Sequence, residues 1–316
     1  MKLALDSKIF VTGHNEVVGG AIVRHLRQLG YHNIVVRDDD APAAWEPAAV
    51  NAFFEAHLPD YVFLAPISLG GVLDDSLTPA TWLRQALMMM SSVIHAAYLY
   101  ESERLLCIDC DPTLFDARVV NRDADYLQAE LIAESQRARE AASTIMTELC
   151  DSYRTQYGCH FSSAVATGLY GPGLRLDAPR GNLVSALFRK VIQAAETGQP
   201  QVQLHGHPDL PCEALYIDDL ADACLFLIEQ LSEPGTIGIR QREPHTLVQL
   251  AECVGRVTGY TGRFCFDDST PLPPPRRQGD PERLIRAGWV PDTSLEGGFR
   301  KTYRWYQRHA GTVSTV

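Results

Sequence analysis

The first half of the chain alternates short apolar runs with longer segments whose apolar residues recur at helical spacing. Short apolar runs between turn residues are typical of buried strands, and the intervening segments are typical of amphipathic helices. The predicted strands lie at 8–12, 33–36, 61–65, 105–108 and 162–166. The predicted helices lie at 17–29, 47–57, 79–100 and 123–157, and the last of these allows a break near Ser135. This alternation predicts an α/β fold with a doubly wound, Rossmann-type parallel sheet.

The composition of the sequence and the lengths of its predicted elements change after residue 170. Gly and Pro become frequent, the predicted strands shorten and the loops lengthen. The proline-rich run at 271–277 must be an extended loop, because proline fixes φ and lacks a backbone N–H. We therefore predict a nucleotide-binding domain over 1–170, with strand and helix contributions from 200–230, and a smaller substrate-binding lobe over 171–316.

Composition and charge limit the partners and the compartment. The formal net charge of the 316 residues is −11, which argues against nucleic acid or an anionic membrane, because phosphate binding depends on Lys and Arg. No stretch approaches the roughly 20 apolar residues of a membrane span. The first residues also lack the apolar segment of a signal peptide. We therefore expect a cytoplasmic protein.

Eight cysteines are scattered along the chain, and one pair is close in sequence. Cys107 and Cys110 have the C-x-x-C spacing of a redox motif or of half a zinc site. No second such pair and no His-x-x-x-His supplies the other half of a metal site. The pattern favours free buried thiols and no bound metal, with this pair as two small apolar residues near the end of a strand.

A glycine-rich segment follows the first predicted strand and opens the first predicted helix. Its residues are Gly13, His14, Asn15, Glu16, Val17, Val18 and Gly19. Extended short-chain dehydrogenases carry G-x-x-G-x-x-G at this place. There the glycines let the backbone approach the pyrophosphate of a dinucleotide at a helix N-terminus.

Further motifs follow in order along nearly the whole chain. They are the strand-end loop from Ala65 to Gly71, Leu-Tyr-Gly-Pro at 169–172, Tyr-Ile-Asp-Asp-Leu-Ala at 216–221, Gly-Tyr-x-Gly at 259–262, and Arg276 and Arg277 with Asp280. With the Gly-His opening, they make the chain resemble the GDP-L-fucose synthase family of extended short-chain dehydrogenases. The resemblance implies an NADP or NAD cofactor, a nucleotide-sugar or other small-molecule ligand, and a homodimer formed through the helices at 79–100 and 129–157.

The chain departs from this family at the catalytic positions. The family uses a Tyr, a Lys four residues later that lowers the Tyr pKa, and a Ser. This chain has only four lysines, and none lies four residues after a tyrosine. By the family's spacing, the Tyr, Lys and Ser positions fall on Arg139, Ser143 and Cys110. The epimerase Cys and His positions fall on Pro112 and Asn182.

The same resemblance marks residues that would surround the former active site and the ligands. At the catalytic centre they are Asp109, Cys110, Asp111 and Arg139. Around a dinucleotide they are the glycine-rich segment, Arg37, Asp38 and Ala65. Arg37 takes the place of the residue that contacts the 2′-phosphate of NADP, whereas Asp38 is closer to the acidic residue of NAD-binding proteins. Around a nucleotide sugar they are Asn182, Lys190, His205, Cys212, Arg276 and Asp280.

Glu16 stands where the family has the middle glycine of the phosphate loop. A carboxylate facing a pyrophosphate is unfavourable when buried without a cation, so this residue argues against a bound dinucleotide. A carboxylate at a helix N-terminus is otherwise favourable. Glu16 therefore allows a second interpretation, in which its own carboxylate occupies the anion site.

The sequence allows three interpretations of function. The first is an enzyme repurposed for non-redox chemistry, with Asp109 and Cys110 supplying proton transfer or a nucleophile. The second is a non-catalytic ligand sensor or partner subunit, because a fold by itself does not dictate a function. The third is a residual NAD(P)-dependent nucleotide-sugar epimerase or reductase that works by positioning alone.

Overall fold

The computed structural model describes residues 2–37, 45–66, 78–111, 126–174, 183–230, 234–267, 279–280 and 282–309, without the side chains of Asp111 and of 126–136. The strands are β1 (Ile9–Val11), β2 (Ile34–Val35), β3 (Tyr61–Leu64), β4 (Arg104–Asp111), β5 (His160–Thr167), β6 (Leu169–Tyr170), β7 (Gln201–His205), β8 (Pro211–Cys212), β9 (Leu215–Tyr216), β10 (Thr236–Ile239), β11 (His245–Thr246) and β12 (Arg263–Asp267). The helices are α1 (Val17–Gln28), α2 (Pro47–His57), α3 (Pro79–Leu99), α4 (Tyr126–Tyr157), α5 (Leu183–Glu196), α6 (Ile217–Gln230), α7 (Leu247–Thr258), α8 (Glu282–Arg286) and α9 (Leu295–His309).

Six parallel strands form the main sheet, in the order β10-β5-β4-β3-β1-β2. β1 pairs with β2 on one side and with β3 on the other, so the strand order reverses between β1 and β3. In doubly wound sheets, ligands bind at the carboxyl ends of the strands beside such a reversal. The predicted Rossmann-type α/β fold is confirmed.

Alternating side chains along the strands build two separate cores. Ile9 and Val11 of β1 face the core that contains α1 and α6, whereas Phe10 faces the core of α2, α3 and α4. The same alternation separates Leu106 from Leu105 on β4. A parallel sheet is covered on both faces for this reason.

The long helix α4 runs unbroken from Tyr126 to Tyr157. The break near Ser135 that the sequence allowed is therefore wrong. α4 is anchored by its second half, where Arg154 Nη2 donates to Phe161 O at 2.6 Å and Ser163 Oγ donates to Thr147 Oγ1 at 3.2 Å. Tertiary packing of this kind supplies most of the stability of a helix in a folded protein.

Short strands and longer loops build the part of the chain after residue 170. β7 pairs in parallel with β12, β8 pairs antiparallel with β11, and β6 pairs in parallel with β9. The helices α5 and α9 pack against α7, while α6 packs against α1 on the main sheet. None of the helices in the described ranges has the length and apolar character needed to cross a membrane.

Candidate functional site

The glycine-rich segment leaves the sheet at the reversal between β1 and β3. The hydroxyl of Thr12 donates a buried hydrogen bond of 2.8 Å to the carbonyl of Ala65, which joins the carboxyl ends of the two strands. Gly13 follows with a φ of 58°, a conformation that glycine adopts without the steric cost of a side chain. The backbone of the segment is thus fixed at the edge where a ligand would bind.

Gly19 lets α1 start close against this segment. A Cβ at Gly19 would lie 2.2 Å from Gly13 O and 2.3 Å from Thr12 O, both of them backbone atoms that cannot move aside cheaply. A Cβ at Gly20 would lie 2.9 Å from His14 O. The backbone therefore has the close strand–helix approach that brings helix N–H groups to a phosphate.

Glu16 is the N-cap residue of α1, with an extended backbone at φ −90° and ψ 170°. Its side chain makes no capping hydrogen bond to the first turn of the helix. The carboxylate therefore does not take the anion site by capping, as one interpretation of the sequence allowed. It does add a negative charge at the mouth of the loop, where the helix dipole would otherwise favour an anion.

The Leu-Tyr-Gly-Pro motif at 169–172 lies beside the start of α1. Gly171 has a φ of 148°, and a Cβ there would lie 2.4 Å from the side chain of Ile217. Gly173 has a φ of 94°, and a Cβ there would lie 3.6 Å from the side chain of Val17. The loop after β6 is therefore a wall of the crevice that the glycine-rich segment opens.

Arg37 lies just after β2, against two aromatic rings. Its guanidinium carbon is 5.6 Å from the centre of the Trp45 ring and 5.5 Å from that of Phe53. Phe53 in turn packs against Phe10 of β1, with ring centres 4.7 Å apart. Cation–π contacts of this length hold a permanently charged group in place. Asp38, its predicted neighbour in the site, lies outside the described residues.

β4 carries the candidate catalytic residues on two different faces of the sheet. Cys107 lies in the core shared with α4, while Cys110 packs against the core of α1 and α6. By strand alternation, Asp109 belongs to the face of Cys107. The structure therefore separates Cys110 from Asp109, which the sequence grouped with it, while the side chain of Asp111 lies outside the described part of the chain. The prediction that Cys107 and Cys110 are free apolar residues near the end of a strand is confirmed, with Cys107 buried and Cys110 half-buried. They lie on opposite faces of β4.

Arg139 of α4 lies over the ring of Trp82, near the start of α3, at 4.7 Å from the ring centre. α4 ends just before β5 begins, so the two run antiparallel, and Thr147 is level with Ser163. Eight helix residues from Thr147 to Arg139 rise about 12 Å, and four strand residues beyond Ser163 rise about 13 Å. Arg139 is therefore level with the end of β5, at the carboxyl edge of the sheet.

The predicted sugar-nucleotide residues are spread over the second half of the chain. His205 ends β7, where its Nδ1 lies 3.6 Å from Oδ2 of Asp267 on the paired strand β12. Lys190 is half-buried on α5. Asn182 and Arg276 lie outside the described residues.

Two of these residues have structural contacts of their own. Cys212 is fully buried, its Sγ contacts Leu210 O at 3.3 Å, and burial raises the pKa of its thiol to about 12. Asp280 accepts from the backbone N–H of Glu282 at 2.9 Å and from Arg286 Nη2 at 3.1 Å. Both side chains therefore stabilise the second half of the chain, independently of any contact with a ligand.

Sequence reasoning missed the partners of the two site arginines. Trp45 and Trp82 both lie near helix starts, and both follow or adjoin segments outside the described residues. Their signal in the sequence was a tryptophan within three residues of a proline, in Trp45-Glu46-Pro47 and Pro79-Ala80-Thr81-Trp82. In the described part of the chain, no cluster of three His, Cys, Asp or Glu side chains is arranged to hold a metal ion.

Comparison with known proteins places this fold among nucleotide-sugar enzymes. The NAD dependent epimerase/dehydratase family matches residues 9–239. GDP-L-fucose synthase 1 of Arabidopsis thaliana is 32% identical over 306 residues, covering 96% of this chain and 94% of that protein. GDP-L-fucose synthase of Escherichia coli strain K12 is 31% identical over 311 residues, covering 95% of this chain and 96% of that protein.

A solved structure shares the whole fold. The GDP-L-fucose synthetase of Naegleria fowleri bound to NADP superimposes with a TM-score of 0.79 at 18% identity, covering 100% of this chain and 97% of that one. At this low sequence identity, the superposition shows that the architecture is shared. What each chain binds depends on the side chains in its own cleft.

Proposed function

This chain belongs to the NAD dependent epimerase/dehydratase family, and we propose that it binds a nucleotide sugar in its cleft without transferring hydride through a Tyr/Lys pair. The relatives at 31–32% identity over most of the chain include the GDP-L-fucose synthases of Arabidopsis thaliana and Escherichia coli, which favours a GDP-linked sugar. The cleft would then serve non-redox chemistry on that ligand.

The absence of any Tyr-x-x-x-Lys from the full sequence carries this proposal. A free tyrosine has a pKa of about 10, so it needs a nearby cation to act as a base near neutrality. Burial instead raises the pKa of Tyr61, Tyr153 and Tyr216. These three phenols are thus further from ionisation than a free tyrosine.

Arg139 supports the same conclusion from the geometry of α4. It lies at the carboxyl edge of the sheet and is held over Trp82. A guanidinium stays protonated near neutral pH, so it attracts an anionic group of a ligand but does not exchange a proton with it. Chemistry in this cleft would therefore use the carboxylate of Asp109, with Arg139 orienting the ligand.

The backbone of the glycine-rich segment fits the pyrophosphate of a dinucleotide, and one side chain opposes it. Gly13 and Gly19 give the close strand–helix approach, and Arg37 supplies a cation just after β2. Glu16 places a carboxylate at the same helix N-terminus. If bound there, NADP would supply hydride chemistry to the cleft. We propose that its affinity is weak because of Glu16.

Thermal shift with matched ligands tests the proposal. GDP-L-fucose should raise the melting temperature more than UDP-glucose or GDP at the same concentration, because a ligand bound to the folded state stabilises it. NADPH absorbance should stay constant in the presence of a GDP-linked 4-keto sugar, whose carbonyl could accept the hydride. A shift with none of the nucleotide sugars contradicts nucleotide-sugar binding, and NADPH consumption contradicts the loss of hydride transfer.

A residual NADP-dependent epimerase or reductase is the second candidate. The intact backbone of the glycine-rich segment favours it. This candidate predicts slow NADPH oxidation that depends on a GDP-linked 4-keto sugar, whose carbonyl takes the hydride. A partner subunit without chemistry of its own predicts ligand binding with neither NADPH oxidation nor conversion of the sugar.

A further inference from the structure

Two buried thiols lie side by side between β4 and α4. The Sγ atoms of Cys107 and Cys150 are 3.6 Å apart, in residues separated by 43 positions. Both residues are almost completely buried, with exposed fractions of 0% and 1%. Nothing in the proposed ligand chemistry uses this pair.

The pair differs from the one with redox-motif spacing in the sequence, which the sequence analysis interpreted as two apolar residues. Cys107 and Cys110 have C-x-x-C spacing, but residues three apart on a strand point to opposite faces. Cys107 shares its core with Cys150, whereas Cys110 packs in the other core. Cys150 is therefore the thiol in contact with Cys107.

We propose that Cys107 and Cys150 are a disulfide-forming site, closed by a peroxide, that locks α4 onto β4. One sulfur, as its thiolate, attacks an oxygen of hydrogen peroxide, so that the O–O bond breaks and a sulfenic acid and hydroxide form. The sulfur of the second thiol then attacks the sulfenic sulfur, the S–S bond forms, the S–O bond breaks, and water leaves. Two thiols and one peroxide give one disulfide and two water molecules.

The geometry needs only a small movement to close the bond. A disulfide has an S–S length of about 2.05 Å, so the two sulfurs must approach by about 1.5 Å. Cys150 Sγ also lies 3.7 Å from Ser162 O on β5. Closing the bond therefore takes the Sγ of Cys150 out of a contact with the backbone of β5.

Burial sets when the reaction occurs. Desolvation first, and the contact with Cys150 second, raise the pKa of the Cys107 thiol well above its ordinary value. The reactive thiolate is thus suppressed while α4 covers β4. Oxidation then proceeds during transient opening of α4, and the closed bond fixes the helix that carries Arg139 against the strand that carries Asp109.

Peptide mapping of the full-length protein tests the proposal. After treatment with hydrogen peroxide, alkylation and digestion without reductant, mass spectrometry should find one peptide pair that links positions 107 and 150. Two of the eight thiols should be lost, and the melting temperature should rise by about 5 °C until dithiothreitol reverses the effect.

Single-cysteine variants supply the controls. Cys150→Ala should abolish the link and the reversible rise in melting temperature, and Cys150→Ser repeats that test with a side chain of similar size. Cys253→Ala changes another buried cysteine and should leave the link intact. Recovery of both residues as unlinked thiols, as sulfinic acids or linked to other cysteines overturns the proposal. The readout is a covalent bond, so its failure is distinct from a failure to bind nucleotide sugars.

Discussion

Glu16 places a negative charge in the dinucleotide crevice, opposite in sign to that of Arg37. It is the N-cap of α1, and its side chain makes no capping hydrogen bond to the first turn, so its replacement costs the helix no capping bond. Glu16→Gly should lower the dissociation constant for NADPH roughly tenfold, because one carboxylate no longer repels the pyrophosphate. A fluorescence titration with NADPH measures the change.

Glu16→Gln separates charge from backbone freedom in the same experiment. The amide keeps the size of the side chain and removes its charge, so most of the gain in affinity should persist. If only the glycine variant binds more tightly, the backbone and not the carboxylate limits binding. If neither does, the crevice is closed to the dinucleotide for another reason.

For individual residues, the sequence predicted which positions of the chain belong to the site but not which side chains they contact. The glycine-rich segment could be placed because its spacing follows from the backbone geometry that a phosphate loop needs. The partners of Arg37 and Arg139 could not, because cation–π contacts join residues that no local pattern links. The contact between Cys107 and Cys150 could not be predicted for the same reason, since α4 brings together two residues 43 positions apart.

Among the elements, α9 packs closely against the end of β6 because one of its residues is a glycine. A Cβ at Gly298 would lie 2.1 Å from the phenol oxygen of the buried Tyr170. Gly298→Ala should therefore lower the free energy of unfolding by about 1–3 kcal/mol through overpacking. Urea denaturation measures the loss.

Gly297→Ala is the matched control in the same helix. A Cβ there meets only the Ser294 hydroxyl, at 2.9 Å, which can turn away at the cost of the 3.2 Å hydrogen bond that it accepts from the N–H of Gly297. Alanine has the higher helix propensity, which offsets that cost, so this variant should be close to neutral. Equal destabilisation by both changes would show that helix backbone, and not the contact with Tyr170, explains the loss.

The junction of α1, α6 and the segment before α9 has a pH-dependent contact. Asp222 of α6 lies 3.4 Å from His25 Nε2 and accepts from Trp289 Nε1 at 2.7 Å. The contact with His25 first, then the bond from Trp289, hold the pKa of Asp222 below its ordinary value of 3.8. A lowered carboxyl pKa stabilises the fold above the unfolded pKa, and the effect is lost as pH falls through the folded pKa.

Asp222→Asn tests this contact. At pH 6 it should reduce the free energy of unfolding by no more than about 1 kcal/mol, because solvent screens a half-exposed side chain. Below the folded pKa of Asp222, the parent and the variant should unfold alike. A difference that persists unchanged in strong acid would assign the effect to packing.

Strands and helices could be predicted where the pattern of apolar positions extends over several residues. Those before residue 170 have buried positions at regular spacing, and the bounds predicted for them are close to the observed ones. The two-residue strands outside the main sheet, β6, β8, β9 and β11, are too short to show any period, whereas β2 could be found within the apolar run at 33–36. The sequence allowed a break near Ser135, but the helix is continuous there and its later turns pack against β5.

For the whole molecule, we propose a homodimer formed through α3 and α4. Among the described side chains of these two helices, three large apolar ones are exposed: Leu99, Ile145 and Tyr157. Met89 and Met146 of the same helices are buried within the chain. Sedimentation should give about twice the chain mass of 35.0 kDa, and Ile145→Asp should shift it towards the monomer.

Val290→Asp serves as the control for this assembly. Val290 is 53% exposed and lies outside both helices, so a charge there should leave the mass unchanged. A parent protein that sediments as a monomer at all concentrations contradicts the dimer.

The order of strands also has a consequence for synthesis of the protein on the ribosome. β5 is covered on its outer edge by β10, which pairs along 163–166 yet follows β5 by nearly 70 residues in the chain. At translation rates of about 5–20 residues per second, that edge waits roughly 4–14 s for its partner. An open strand edge recruits other chains, so fragments that end before residue 236 should aggregate as they emerge, while the complete chain closes its own sheet.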